Sequence, residues 1–130
     1  MGDEKVRILV VDDDAHFRFL VRLVLEGDGH FEVVGEAADG AEGVELVQDT
    51  APEAVLLDLT MPRGTGGAEA LPRIRRAAPE AKIIVLTASA SDEMARQVTE
   101  WGADGYVQKH QYASTLRLLC RLCQRPADLP

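Results

Sequence analysis

The sequence predicts an α/β protein: a doubly wound (βα)5 fold in which a parallel sheet lies between two layers of helices. Two observations carry this. Short runs rich in β-branched residues alternate five times with longer stretches of helical spacing, and right-handed helical crossovers are the usual way to join parallel neighbours. The runs are also apolar almost throughout, as strands covered on both faces must be.

The strands are expected at Val6 to Val11, Phe31 to Val34, Ala54 to Leu57, Ile83 to Leu86 and Tyr106 to Val107. In the first helix Phe17, Leu20, Val21 and Val24 fall at i, i+3, i+4, i+7; in the last, Leu116, Leu119, Cys120 and Cys123 do the same. Turn chemistry marks the boundaries. Gly27-Asp28-Gly29 follows the first helix, Asp39-Gly40 the second strand, Pro52 and Pro79 precede the third and fourth strands, and Gly102-Ala103-Asp104-Gly105 precedes the fifth. Asp14 reads as the N-cap of the first helix. No internal repeat or interdomain linker is visible, so residues 1–125 are expected to form one domain and 126–130 a frayed tail.

Composition bounds the function. The 130 residues are 46% hydrophobic, and 22 acidic against 14 basic side chains give a net charge of -8. That balance argues against direct nucleic-acid binding, which needs clustered Lys and Arg. No apolar run approaches the roughly 20 residues of a membrane span, and no signal peptide is visible, so a cytoplasmic location is expected. Two cysteines are too few for a disulfide scaffold and fit a reducing compartment.

The polar residues gather at the carboxyl ends of the strands: Asp12 and Asp13 after the first, Asp58 after the third, Thr87 after the fourth and Lys109 after the fifth. The second strand contributes none. Open α/β sheets bind ligands at this edge, at the topological switch point. Three converging carboxylates need a counter-charge, since a like-charge pair at about 4 Å costs on the order of 4 kcal/mol at an effective dielectric near 20. All-oxygen ligation with room for water and phosphate oxygens favours Mg2+. Lys109 supplies a point charge for a phosphoryl oxygen and Thr87 a hydroxyl beside it.

Taken together, ILVVDDD at Ile8 to Asp14, VLLDLTMP at Val55 to Pro62, VLTAS at Val85 to Ser89 and GADGYVQK at Gly102 to Lys109 resemble the receiver domain of bacterial two-component response regulators. The likeness covers about residues 5 to 123, and EVVGEAADGAEGVEL and GADGY look most like the NarL/LuxR-type subfamily. It implies a flavodoxin-like three-layer sandwich with sheet order 2-1-3-4-5. Asp58 would accept phosphate from a sensor histidine kinase. Asp13, Asp58 and the Thr60 carbonyl would ligate Mg2+, with Asp12 holding it through water. Thr87 and Tyr106 would switch a protein-interaction surface, with transcription regulation as the output, while Thr60 and Ser89 would tune hydrolysis and Ala88 leave the acceptor accessible. A homodimer would form through helices 1 and 5 or through the helix 4, strand 5, helix 5 face.

Three departures from the family pattern stand out. His110 follows Lys109 where a proline is common, so the geometry of that peptide stays open. The loop after Pro62 looks one residue longer, and Pro72 would sit inside the third helix, which is expected to start near Leu71 or to kink, with a flexible lip beside Asp58. No output domain follows, so the chain is either a stand-alone receiver or part of a longer protein. Two other functions stay in view: a receiver that signals by contact without phosphate, and an aspartate-nucleophile phosphatase of the haloacid dehalogenase type, whose motif needs an Asp where Thr60 stands.

Other features read as structure. Cys120-x-x-Cys123 lacks a second ligand pair for zinc and reads as buried, inert thiols. Gly64-x-Gly66-Gly67 resembles a dinucleotide loop, but Glu69 stands where the third glycine belongs. Phe19 and Leu23 on the first helix, with Leu118 and Leu122 on the last, form offset apolar ledges expected to pack on one another, any uncovered part serving as a dimer or output-domain surface. Trp101 is expected to be partly exposed.

Overall fold

A computed structural model describes residues 4–61, 66–88 and 91–123. Five strands, β1 (Val6–Val11), β2 (Phe31–Ala37), β3 (Ala54–Asp58), β4 (Lys82–Thr87) and β5 (Gly105–Gln108), alternate with five helices. The helices are α1 (Ala15–Asp28), α2 (Gly40–Thr50), α3 (Gly67–Ala77), α4 (Asp92–Glu100) and α5 (Tyr112–Leu122). All strand pairs are parallel and the order is β2-β1-β3-β4-β5, as expected. The chain reverses its winding between β1 and β3, which opens a crevice at their carboxyl ends.

Strand alternation divides the core. Leu9, Val11, Val55, Leu57, Ile83 and Val85 face α2, α3 and α4, meeting Val47, Ile74 and Val98. Ile8, Val10, Leu56, Ile84 and Leu86 face α1 and α5, meeting Phe17, Val21, Leu25 and Leu119. Helix starts follow local chemistry. The Asp14 carboxylate accepts from the N–H groups of His16 and Phe17. Asp39 caps α2 in a capping box, its Oδ1 accepting from Glu42 N–H at 2.9 Å while Glu42 Oε1 accepts from Ala38 N–H at 2.8 Å. Gly29 ends α1 at φ 90°, in the left-handed region that a glycine enters without Cβ strain.

At the amino edge of the sheet Arg75, from α3, ties four segments together. Its Nε donates to the Gly102 carbonyl at 3.0 Å, one terminal nitrogen to the carbonyls of Pro79 and Ala81 at 3.0 and 2.8 Å, and the other to Asp104 Oδ2 at 2.6 Å. That same carboxylate oxygen accepts from Ile83 N–H at 2.8 Å.

Several expectations need correction. β2 runs on to Ala37 rather than ending at Val34, with a register shift opposite Ile8 and Leu9 that absorbs one residue. α3 begins at Gly67, not near Leu71, and carries Pro72 as its sixth residue; the proline costs one intrahelical hydrogen bond, which buried Ala70, Leu71 and Ile74 offset by packing. The ledges do not cover one another: Leu118 and Leu122 lean on the core beneath α5, whereas Phe19 and Leu23 are 55% and 54% exposed. Cys120 and Cys123 are half-buried rather than buried, packed at the margin of the α1–α5 side of the core while Leu119 fills its interior. Trp101 is 38% exposed, as expected. The lip expected at 62–65, Ser89 and the tail from 126 lie outside the described residues.

Candidate functional site

The strand ends deliver the expected residues to one place. Asp12 follows β1, Asp58 closes β3, Thr87 closes β4 and Lys109 follows β5. Asp12, Asp58 and Thr87 are buried, at 0%, 2% and 4% exposure, whereas Asp13 is exposed. One carboxylate oxygen from each of Asp12, Asp13 and Asp58 lies within 4.8 Å of the others.

Local backbone bonds aim these groups. Asp14 N–H donates to Asp12 Oδ1 at 2.8 Å, and Thr60 N–H donates to Asp58 Oδ1 at 3.0 Å. The remaining oxygens turn toward Lys109, whose Nζ stands 2.9 Å from Asp12 Oδ2 and 3.5 Å from Asp58 Oδ2. The approach to Asp12 Oδ2 makes an ion pair at an angle poor for hydrogen bonding, so that buried oxygen lacks a well-aligned donor. Lys109 is itself fixed through its backbone, its N–H donating to the Thr87 carbonyl at 2.7 Å.

Electrostatics follow from this crowding. Burial, and then repulsion from Asp12, pushes the Asp58 carboxyl up to about 6, against the pull of Thr60 N–H and Lys109. Asp12 is raised as well, first by burial, with Lys109 and Asp14 N–H opposing. For Lys109 burial disfavours the ammonium, yet the close ion pair with Asp12 and the contact with Asp58 outweigh it and hold the group above its ordinary value. Among the described residues one ammonium therefore faces a surplus of carboxylate. Three hard oxygen donors, one of them buried and short of a donor, fit a small divalent cation such as Mg2+, and exposed Asp13 leaves one side open to water or phosphate oxygens. An aspartate set between a cation site and a lysine is equipped to attack a phosphoryl group.

Residues 8–121 match the response regulator receiver domain. The chain belongs to that family. It is 39% identical over 111 residues to the transcriptional regulatory protein LiaR of Bacillus subtilis (strain 168), a match covering 85% of this chain and 52% of LiaR. The fold is shared with a LuxR family two-component response regulator from Aurantimonas sp. SI85-9A1, at TM-score 0.84 and 35% identity over 94% of this chain and 88% of that one. A Burkholderia pseudomallei response regulator, crystallised with a phosphorylated aspartic acid, a calcium ion and citrate, superimposes at TM-score 0.80 with 28% identity, over 95% of this chain and 72% of that one. The chain spans only 28% to 54% of the curated relatives first matched, which carry further sequence.

In this receiver domain Tyr106 is half-buried against the α2–α3–α4 side of the core. The Lys109–His110 peptide is trans, since no cis bond occurs among the described residues, and His110 takes φ 75°. Sequence reasoning missed three contributors. Glu36, near the end of β2, is a polar residue at the site edge, held by Arg18 and Arg22 at 3.0 Å each, and Arg18 also donates to the Asp12 carbonyl. Gly67 is one of the glycines set aside with the dinucleotide reading: a Cβ there would lie 2.0 Å from the Asp58 carbonyl oxygen, so the start of α3 closes on the end of β3 only without a side chain. Phe17, read as core, also lies 4.7 Å from Lys109 Nζ.

Proposed function

We propose that this receiver domain is the phosphoacceptor of a two-component system, taking a phosphoryl group on Asp58 from a phosphohistidine of a sensor histidine kinase and so switching a protein-interaction surface for transcription regulation. The carrying observation is buried Asp58 between Lys109 and the Asp12–Asp13 pair. An Asp58 oxygen attacks phosphorus, an O–P bond forms as the N–P bond of phosphohistidine breaks, and the imidazole leaves with the electron pair and takes a proton. Thr60 N–H holds the other Asp58 oxygen, Lys109 offsets charge on the transferring group, and Thr87 offers its hydroxyl. Asp13, Asp58 and the Thr60 carbonyl, with Asp12 through water, would hold Mg2+, which would supply counter-charge to the phosphoryl oxygens. Tyr106 and Thr87 then shift between two packings, one preferred by the phosphorylated state.

Supporting this are the transcriptional role in the name of LiaR and the phosphorylated aspartic acid of the Burkholderia pseudomallei protein. On this reading residues 1–125 are the receiver and 126–130 its tail, the domain works in the cytoplasm, and its own chemistry is confined to self-phosphorylation and hydrolysis. DNA contact belongs to other parts of such regulators. Exposed Phe19 and Leu23 give the helix 1 and helix 5 side an apolar face for a homodimer, the α4–β5–α5 face being the other route.

Intact mass after incubation with Mg2+ and acetyl phosphate tests the proposal. One added phosphoryl group, absent from Asp58→Asn and from an EDTA control, is expected. No adduct while Mg2+ still binds would overturn it in favour of signalling by contact alone, and turnover of p-nitrophenyl phosphate would overturn it in favour of a phosphatase.

A further inference from the structure

We infer that Phe17, clamped between Tyr112 and His110, is a positioning residue for the Lys109 ammonium in phosphoryl transfer; this rests on the phosphoacceptor reading above. Lysine carries its charge on a flexible four-carbon stem, so a lysine that must meet a transferring group needs something to confine it. On one side Lys109 Nζ meets Asp12 at 2.9 Å and Asp58 at 3.5 Å. On another it lies over the Phe17 ring, 4.7 Å from the centroid, where the negative face of the π system attracts a cation. The side chain is left only 17% exposed. Ring and carboxylates together close off the route by which the ammonium could swing into solvent.

The ring is held from two directions. Tyr112 stacks on it at 6.1 Å and an interplanar angle of 24°, while His110 meets it edge-on at 5.3 Å and 86°. His110 Nδ1 lies 3.3 Å from the Tyr112 hydroxyl, which links the two clamping residues. Phe17 also belongs to the turn that carries the acids, since its N–H donates to the capping Asp14 carboxylate at 3.4 Å. The lysine support and the carboxylate turn are thus one piece of structure.

Core packing alone would account for Phe17 and for its contact with Tyr112. It does not supply His110, an exposed residue that the turn closed by Gln111 N–H donating to the Gln108 carbonyl at 3.1 Å places at φ 75°. The consequence of this turn is an imidazole set against Phe17 immediately after Lys109.

The test separates the π face from the volume. Phe17 is replaced by 3,4,5-trifluorophenylalanine, which keeps the ring but weakens its negative face, and in a second variant by leucine. Three quantities are followed: mobility of the Lys109 ε-methylene by NMR relaxation, the rate of phosphorylation by acetyl phosphate with Mg2+, and the thermal midpoint. The fluorinated protein is expected to keep its midpoint, to show a more mobile Lys109 and to phosphorylate about three- to tenfold more slowly. Phe17→Leu should go further in the same direction. His110→Gly, which tolerates the same backbone conformation, should loosen Lys109 by a smaller amount. Wild-type mobility or wild-type rate in the fluorinated protein would overturn the inference, as would a slower rate with Lys109 unchanged. If the wild type takes up no phosphoryl group the phosphoacceptor reading fails, and Lys109 mobility alone then decides whether the ring holds the ammonium.

Discussion

Both edges of the sheet hold an acid and a base brought together from distant parts of the chain, but they differ in how fully those charges are met. At the amino edge Arg75 spends its donors on Gly102, Pro79, Ala81 and Asp104, and Asp104 answers both Arg75 and Ile83 N–H. At the carboxyl edge, among the described residues, Lys109 is the cation that faces Asp12 and Asp58, with Asp13 nearby and Asp12 Oδ2 buried without a well-aligned donor. The saturated edge stabilises; the unsaturated one stores unmet charge where a cation and a phosphoryl group can be received. Networks that close are structural, and those left short of counter-charge are candidates for function.

Breaking each edge should separate the two properties. The largest effect is expected from Asp58→Asn on activity: phosphoryl uptake, read by intact mass, should disappear while the fold persists. Next comes Gly67→Ala, whose Cβ would meet the Asp58 carbonyl oxygen at 2.0 Å. It should destabilise by about 2–3 kcal/mol in urea unfolding, since backbone cannot move aside as a flexible side chain would, and should slow phosphorylation too. Asp104→Ala should cost about 2 kcal/mol by leaving Ile83 N–H and part of Arg75 unpaired, yet leave the phosphorylation rate of the remaining folded protein unchanged.

The fourth prediction has the opposite sign. Folding raises the Asp58 carboxyl to about 6 from 3.8, so the folded chain binds that proton more tightly than the unfolded chain. Stability is therefore lost as pH rises from about 4 to about 6, by up to roughly 3 kcal/mol. Without a divalent cation, Asp58→Asn should accordingly be more stable than wild type at neutral pH, by about 1–3 kcal/mol, and the gain should vanish as pH falls toward about 4. Thermal unfolding across that range reads it directly. The smallest effect is expected at Cys123→Ala: half-buried on the last turn of the chain's core, it should cost about 1 kcal/mol or less and leave phosphorylation intact.

The comparison also explains what could be read from the residues alone. Asp12, Asp58, Thr87 and Lys109 were legible because each ends or follows a largely apolar strand, and strand ends of an α/β sheet share one edge. Asp14 was legible because a cap acts within its own turn. By contrast, Arg75 meets Asp104 across 29 residues and Arg18 meets Glu36 across 18, and no local pattern announces such pairs. The apolar run of β2 stops at Val34, whereas the strand continues to Ala37 through a register shift that a period-two pattern does not carry. Gly67 was visible as a glycine but not as the point where α3 touches Asp58, since close approach is a property of two segments. Phe17 fitted the helical stripe so well that a second role left no trace in the spacing.

Among the described residues the carboxyl edge is short of positive charge, and thermal unfolding with and without millimolar Mg2+ tests this most directly. Wild type should gain stability on adding Mg2+, by about 1–2 kcal/mol or a few degrees, whereas an Asp12→Asn, Asp13→Asn double variant should start more stable without Mg2+ and gain nothing from it. A wild type indifferent to Mg2+, or a double variant that responds equally, would contradict the account.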